Sequence, residues 1–124
     1  VKYNSSGEKQ WTKQLGTSSD ERGYGITVDS SNNIYVTGST HGELDGNTSS
    51  GSSDIFLVKY YDNGTKQWTK QYGSSSSDGG FGVTVDNSSN IYVTGYSKGG
   101  LDGNTNSGYE DIFLMKFNSD GVLQ

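Results

Sequence analysis

The stretch GYGITVDSSNNIYVTGSTHGELDGNT, residues 23–48, occurs a second time as GFGVTVDNSSNIYVTGYSKGGLDGNT, residues 80–105. The similarity extends outward in both directions, so that residues 1–57 align without a gap with residues 58–114 at 37 identical positions. A third copy begins with MKFNSDGVLQ, residues 115–124. Self-similarity at a fixed spacing of this size is typical of solenoids, propellers and repeat arrays. Each copy is therefore expected to form one structural unit.

Each copy contains four segments with the properties of β-strands. Residues 23–29 alternate apolar side chains with small or polar ones, which is the period of a half-buried strand. Residues 33–38 are rich in β-branched and aromatic side chains and follow a short polar turn. Residues 54–61 are apolar on both faces, whereas residues 65–73 are polar apart from two aromatic side chains. Because no stretch has sustained helical spacing, the sequence predicts an all-β chain.

Four antiparallel strands of graded character describe one blade of a β-propeller. The glycines of the first strand suit the crowded inner position, and the lysines of the fourth suit a solvent-exposed outer edge. We predict that residues 16–72 form one blade, that residues 73–124 form a second blade without its full outer strand, and that residues 1–15 supply the outer strand of a neighbouring blade. A β-solenoid is the alternative, but its coils are usually shorter than 57 residues.

The repeat carries a recognisable pattern, D-x-F-x-x-K-Y-x-x-x-G-x-x-x-W and then G-x-x-V-D-x-x-x-N-I-Y-V-T-G. Its residues are Asp54, Phe56, Lys59, Tyr60, Gly64, Trp68, Gly82, Val85, Asp86 and the segment Asn90–Gly95; the first copy shows the same residues at Trp11, Gly25, Val28, Asp29 and Asn33–Gly38. This pattern resembles the bacterial beta-propeller repeat family labelled SBBP. The resemblance implies a propeller with no established chemistry, commonly within secreted or surface proteins, so an extracellular or cell-surface location is expected.

Composition limits the functions that are expected. The chain has no Cys, one His and a formal net charge of -5, so thiolate metal sites, multi-histidine sites and nucleic-acid binding are not expected. No nucleophile lies beside a general base in sequence, and no cofactor motif is present, so we predict a non-enzymatic protein. The longest apolar runs, residues 55–58 and 112–115, are too short to span a membrane.

Calcium is the one cofactor that the sequence leaves open. The segment LDGNT occurs in both copies between the second and third strands, with Asp and Asn oxygens two positions apart. Such oxygens suit a hard cation, and the Asp that opens the third strand offers a further carboxylate. The full Asp-x-Asp-x-Asp-Gly ligand pattern is absent, and an Asx-turn that orders the loop is the preferred interpretation. The candidate ligands are Asp45, Asn47, Asp54, Asp102, Asn104 and Asp111.

Aromatic side chains offer a second candidate site. Trp11 and Trp68 occupy equivalent positions in the two copies, and Tyr96 and Tyr109 lie in variable loops. Aromatic faces beside polar groups suit sugar ligands, although such rings more often fill the space between blades. The main hypothesis is therefore a scaffold or interaction module with a glycan or protein ligand. The alternative is a lectin-like or calcium-binding propeller.

Two blades cannot close a propeller ring, and bare blade faces are costly for a chain that is only 28% hydrophobic. The missing outer strand of the second blade is of the type found at residues 9–15, which predicts a homo-oligomer joined head to tail. Each chain adds two blades, so a tetramer with eight blades is preferred to a trimer with six, and an open filament is a further arrangement. Residues 115–124 repeat residues 1–10, so the two segments compete for one place at such a joint unless the array continues.

Overall fold

The computed structural model describes all 124 residues, which form nine β-strands and one 3₁₀ helix. The all-β prediction is confirmed. The structure contains no helix with the length and hydrophobicity of a transmembrane segment. The strands are β1 (Lys2–Tyr3), β2 (Lys9–Trp11), β3 (Glu21–Val28), β4 (Ile34–Thr40), β5 (Asp54–Tyr60), β6 (Lys66–Tyr72), β7 (Asp78–Val85), β8 (Ile91–Ser97) and β9 (Asp111–Phe117), and the 3₁₀ helix is Leu44–Gly46.

The strands form three antiparallel sheets. Strands β3, β4, β5 and β6 pair in chain order in a four-stranded sheet, and β7, β8 and β9 pair in chain order in a three-stranded sheet. A single bridge between Phe117 and Leu123 marks the place where a further strand begins after β9. Strands β1 and β2 form a separate pair, called here the N-terminal hairpin. Residues 1–15 thus contain a short hairpin, of which β2 alone corresponds to the expected outer strand.

Three turns, which follow β1, β5 and β9, have the same geometry. The backbone N–H groups of Gly7, Gly64 and Gly121 each donate to the carbonyl three residues earlier. All three glycines have φ between 75° and 81°, a conformation that glycine adopts without the steric cost of a Cβ atom. Residues 1–10, 58–67 and 115–124 therefore have a common turn.

The main core lies between the two larger sheets. From the four-stranded sheet it takes Tyr35, Ile55 and Leu57, each no more than 1% exposed. A smaller cluster of Leu44, Phe56 and Val58 lies on the opposite side of that sheet. The three-stranded sheet and its loop contribute the remaining members of the main core: Ile91, Val93, Leu101, Met115 and Phe117. The two sheets are therefore packed face against face, with the ring not closed within this chain.

Candidate functional site

The molecule has two exposed apolar sheet faces. The back face of the four-stranded sheet, which includes Ile55 and Leu57, is covered by the three-stranded sheet. The equivalent residues 57 positions later are Ile112 and Leu114, and they are 91% and 74% exposed. We call this second surface, Tyr92, Ile112 and Leu114, the free back face.

The opposite face of the four-stranded sheet is also open. Val83 and Val85 of the three-stranded sheet pack against the main core, but their equivalents Ile26 and Val28 are 70% and 54% exposed. They line a groove of about 770 Å³ between the four-stranded sheet and the N-terminal hairpin. We call this surface the free front face; its apolar residues are Ile26, Val28, Ile34, Val36, Leu44, Phe56, Val58 and Tyr60.

The N-terminal hairpin covers only the outer corner of the free front face. Lys2 forms an ion pair with Asp62, and the indole N–H of Trp11 donates to the backbone carbonyl of Asp62 at 3.1 Å. The same corner of the three-stranded sheet receives the β5–β6 hairpin, where the ammonium group of Lys59 donates to the carbonyl of Ser119 at 3.1 Å. The N-terminal hairpin therefore docks as the outer part of a preceding sheet does.

The two candidate tryptophans lie at these outer corners. Trp11 contacts Gly64, and Trp68 contacts Gly121 in the equivalent position. The ring of Trp68 also lies 6.3 Å from that of Tyr35, measured between centroids. Both indoles are half-buried between neighbouring elements, which is the packing role that aromatic side chains commonly have in such interfaces.

The two candidate tyrosines lie apart from the tryptophans. Tyr96 is half-buried, with its ring centroid 5.4 Å from that of Phe81, and Phe81 in turn contacts Tyr24 at 5.0 Å. Tyr109 is 78% exposed, and the ammonium group of Lys98 lies 4.5 Å from its ring centroid. The structure does not bring the four candidate rings into one surface, so sugar binding by them stays a prediction. Sequence reasoning did not single out the Tyr24–Phe81 pair.

The candidate calcium ligands of the first copy are already engaged in hydrogen bonds within the protein. The carboxylate of Asp45 accepts from Lys66 and Thr69. Asp54 is fully buried; its Oδ2 accepts at 2.8 Å from the side-chain amide of Gln71, whereas its Oδ1 has no partner. Asn47 donates to the carbonyl of Leu44. The structure therefore does not direct these oxygens to a common point, and no group of three or more His, Cys, Asp or Glu side chains is placed to hold a metal ion.

The second copy is arranged similarly but with fewer contacts. Asn104 donates to the carbonyl of Leu101, and Asp111 accepts from the backbone N–H of Ser107. Asp102 has φ of 51°, like Asp45 with 52°. The repeat equivalent of Lys66 is Leu123, which has no charged group to offer Asp102.

The pKa of Asp45 is lowered by the contacts of its loop. Burial alone would raise this pKa, but hydrogen bonds from Lys66 and Thr69 and the charge of Lys66 outweigh burial and lower it. The ionised form is therefore the one that the loop stabilises. This arrangement supports the turn interpretation, in which Asp45 orders the loop through the protein's own donors.

We predict that Asp45→Ala lowers the free energy of unfolding by about 1 kcal/mol more than Asp102→Ala does. Both changes place Ala at a positive φ, so the difference between their free energies of unfolding isolates the hydrogen bonds to Asp45. Urea unfolding of the two variants measures this difference. The turn interpretation is wrong if calcium raises the melting temperature of the unmodified chain and Asp45→Ala abolishes that rise.

Carboxylates at the start of each first strand have a role that sequence reasoning missed. Glu21 accepts from the backbone N–H and hydroxyl of Thr17 and from the hydroxyl of Thr40. Burial would raise the pKa of Glu21, but these hydrogen bonds outweigh it and lower the pKa. Asp78, at the equivalent position, accepts from Ser74 and Ser97. These carboxylates tie the incoming loop to the end of the second strand.

The motif D-x-x-x-N-I-Y is a turn closed by its own Asp. Asp29 accepts from the backbone N–H groups of Ser31 and Asn33 and from the hydroxyl of Tyr35, each at 2.9 Å. Burial would raise the pKa of Asp29, but hydrogen bonds led by those from Asn33 lower it. The hydroxyl contact, 2.9 Å, fixes the ring of Tyr35 within the main core. The motif is thus structural.

The comparison with known families gives a repeat whose boundaries are offset from those of the sheets. The family model described as SBBP, Beta-propeller repeat, matches residues 10–45 and 67–102, which is more than half of the chain. The chain belongs to the SBBP beta-propeller repeat family. Each SBBP match begins in the outer strand of one unit and ends just after the second strand of the next. A single SBBP repeat therefore spans a junction between neighbouring sheets.

One curated relative carries the same kind of sequence. "Regulatory protein FlaEY" of Caulobacter vibrioides (strain ATCC 19089 / CIP 103742 / CB 15) is 30% identical to this SBBP chain over 132 residues. The match covers 98% of this chain and 14% of FlaEY. The chain thus spans a small part of the length of that relative.

Proposed function

We propose that this chain is a non-enzymatic scaffold or interaction module that joins further copies of itself head to tail. The observation that carries the proposal is the unequal exposure of equivalent side chains. Ile55 and Leu57 are buried by the adjoining sheet, whereas Ile112 and Leu114 are exposed. Apolar patches of this kind on a protein surface commonly mark interaction sites.

The interface inside the chain is the template for the joint. There, the back face of the four-stranded sheet packs on the front face of the three-stranded sheet. The repeat of 57 residues leaves an equivalent back face and an equivalent front face free on opposite sides of the pair. Because the two free faces differ from each other, they suit a head-to-tail contact, which closes into a ring or continues as a filament.

Burial of the free faces favours this contact energetically. Removing a Leu or Ile side chain from water contributes about 1.5–3 kcal/mol, and the free back face offers two such side chains. The groove of about 770 Å³ on the free front face is lined by apolar residues that include Ile26 and Val28. The free back face and the free front face are therefore both apolar, and they occupy the positions in the repeat that meet in the internal interface.

The ring size follows from the number of sheets in each chain. Each chain adds two units, so a closed ring has an even number of units. We propose a tetramer with eight units in preference to a trimer with six, because the glycines at positions 23 and 25 keep the inner strand slim and suit a wider channel. An open filament is the remaining arrangement. The description of FlaEY as a regulatory protein agrees with a binding role, and the extracellular location stays a prediction.

Leu114→Lys tests the proposal. Leu114 is 74% exposed in the single chain, so the fold accepts Lys there, but a charge buried in the joint is costly. We expect light scattering to give a mass several times 13.3 kDa for the unmodified chain and 13.3 kDa for Leu114→Lys.

A matched control lies in the turn between β7 and β8. Asn87 is exposed, and its equivalent Ser30 stays exposed beside the internal interface, so Asn87→Lys is expected to keep the mass of the unmodified chain. A folded, cooperatively melting monomer at high protein concentration would refute the proposal. Loss of assembly in both variants would show that charge, rather than the free back face, controls association.

A further inference from the structure

We infer that residues 11–15 of one chain pair with β9 of another chain and so complete its three-stranded sheet. Strand β1 of the chain that supplies residues 11–15 is displaced in the process. The inference rests on the proposed head-to-tail association and specifies the strand register of that joint. The molecule that docks at this joint is a second chain of the same protein.

Strand β9 has an outer edge that is open over most of its length. On the side away from β8, the only bridge joins Phe117 to Leu123. The equivalent edge of β5 pairs with β6 from Ile55 to Tyr60. Unpaired backbone N–H and C=O groups along an edge strand are a template for another strand.

Residues 11–15 already lie where the additional strand is needed. Trp11 contacts Gly64 in the same way as Trp68, in the outer strand β6, contacts Gly121. The start of this segment is therefore docked on the free front face as the outer strand of a preceding sheet, before any second copy is present.

The end of the segment is docked in the same manner. Leu15 packs against the smaller core cluster on the free front face. Its equivalent, Tyr72, packs at the same place in the internal interface, with its ring centroid 5.1 Å from that of Phe117. Residues 12–15 belong to no strand, so their backbone is available for pairing.

The pairing of β5 with β6 defines the expected register. Leu57 pairs with Lys70. Because Leu114 is the repeat equivalent of Leu57 and Lys13 that of Lys70, Leu114 of one chain is expected to pair with Lys13 of the next. This register brings the free back face of the first copy over the free front face of the second. The other expected pairs are Ile112 with Leu15, Phe113 with Gln14, Met115 with Thr12, and Lys116 with Trp11.

Strand β1 occupies the place that the end of β9 requires. Lys2 pairs with Trp11 in the N-terminal hairpin, and its repeat equivalent is Lys116, so the two cannot pair with Trp11 at once. A two-stranded hairpin is marginally stable, whereas β9 is anchored in a larger sheet with Phe117 only 1% exposed. Strand β9 of the incoming copy therefore replaces β1.

The incoming chain also replaces the hydrogen bond that Lys2 makes. The ammonium group of Lys2 lies 3.3 Å from the carbonyl oxygen of Asp62. In the internal interface, Lys59 donates at 3.1 Å to the carbonyl of Ser119, the equivalent of Asp62. Lys116 of the incoming chain is thus placed to donate to the carbonyl of Asp62 in the chain that receives it, so the exchange of strands conserves this hydrogen bond.

Disulfide cross-linking tests the register, because the chain has no Cys of its own. A Lys13→Cys variant is mixed with a Leu114→Cys variant under mild oxidation. Directly paired residues of antiparallel strands have Cα atoms about 4.5–5.5 Å apart, within the range of a disulfide. We expect a covalent heterodimer, which mass spectrometry distinguishes from homodimers. Thr12→Cys mixed with Leu114→Cys is the matched control, one residue out of register, and should give little product.

Removal of residues 1–8 tests the displacement of β1. Because the competing strand is absent, we expect association to tighten roughly tenfold. Two results would overturn the strand pairing and leave the head-to-tail contact standing. One is equal cross-linking by Thr12→Cys and Lys13→Cys. The other is no cross-linking by either variant while the unmodified chain assembles through Leu114. An unchanged affinity after truncation would overturn the displacement of β1. A monomeric unmodified chain would remove the proposed function as well.

Discussion

Leu57→Ala is expected to lower the free energy of unfolding by about 2–5 kcal/mol, whereas Leu114→Ala is expected to change it by less than about 0.5 kcal/mol. The two residues occupy the same position in the repeat, within the identical segment DIFL. Leu57 is fully buried in the main core, and its truncation leaves a cavity between the sheets. Leu114 is 74% exposed, so its truncation in a single chain leaves none.

The measurement is urea unfolding in dilute solution, where association does not contribute to stability. At high concentration, Leu114→Ala should instead weaken assembly, because the residue then lies in the joint. Similar destabilisation by both variants in dilute solution would contradict the structure, since it would mean that both copies of the back face are covered within one chain.

Gly38→Ala is expected to destabilise the chain by about 3 kcal/mol or more, because a methyl group there has no space. An added Cβ would lie 1.8 Å from the carbonyl oxygen of Arg22 and 2.8 Å from the ring of Phe56. The close approach arises opposite a β-bulge, where the register between β3 and β4 shifts between Gly23 and Gly25. Backbone atoms on both strands would have to move, and the pairing of β3 with β4 would be disturbed.

Gly23→Ala is the matched control. Gly23 pairs directly with Gly38, but a Cβ there meets only Val36, at an ordinary 3.8 Å. We expect its melting temperature to stay close to that of the unmodified chain, while that of Gly38→Ala falls by many degrees. Equal stability of the two variants would show that the close approach at Gly38 is not required by the fold. Gly95, with an added Cβ 1.9 Å from the carbonyl oxygen of Gly79, should behave like Gly38.

The strands could be predicted well because each pattern occurs twice and has a local cause. The predicted segments 23–29 and 54–61 correspond to β3, Glu21–Val28, and β5, Asp54–Tyr60. Alternating side chains indicate one covered face, and the apolar run indicates a strand covered on both faces. The boundaries of these two strands differ by up to two residues, because strand ends depend on hydrogen bonds to neighbouring loops, such as those accepted by Glu21. The expected outer strand at residues 9–15 is paired only over β2, Lys9–Trp11.

The candidate sites were harder to predict from the sequence. The segment LDGNT has the oxygen atoms of a cation site, but the structure engages Asp45 with Lys66 and Thr69, which lie more than twenty residues away in the chain. Spacing in sequence shows which side chains are near one another locally, whereas hydrogen bonds across strands are decided by packing. Glu21 and Asp78 also have one partner each that is distant in the sequence, Thr40 and Ser97, and only the pairing of the strands brings it close.

The repeat, the order of the strands and the tight turns follow from the sequence alone, because all three depend on local backbone preferences and on the period of apolar side chains. The sequence alone does not determine which faces of the sheets are covered. Ile55 and Ile112 stand in the same segment, DIFL, yet one is 1% exposed and the other 91%. Burial depends on what lies next to a side chain in space, and only the tertiary structure supplies a neighbouring sheet for the first residue and none for the second.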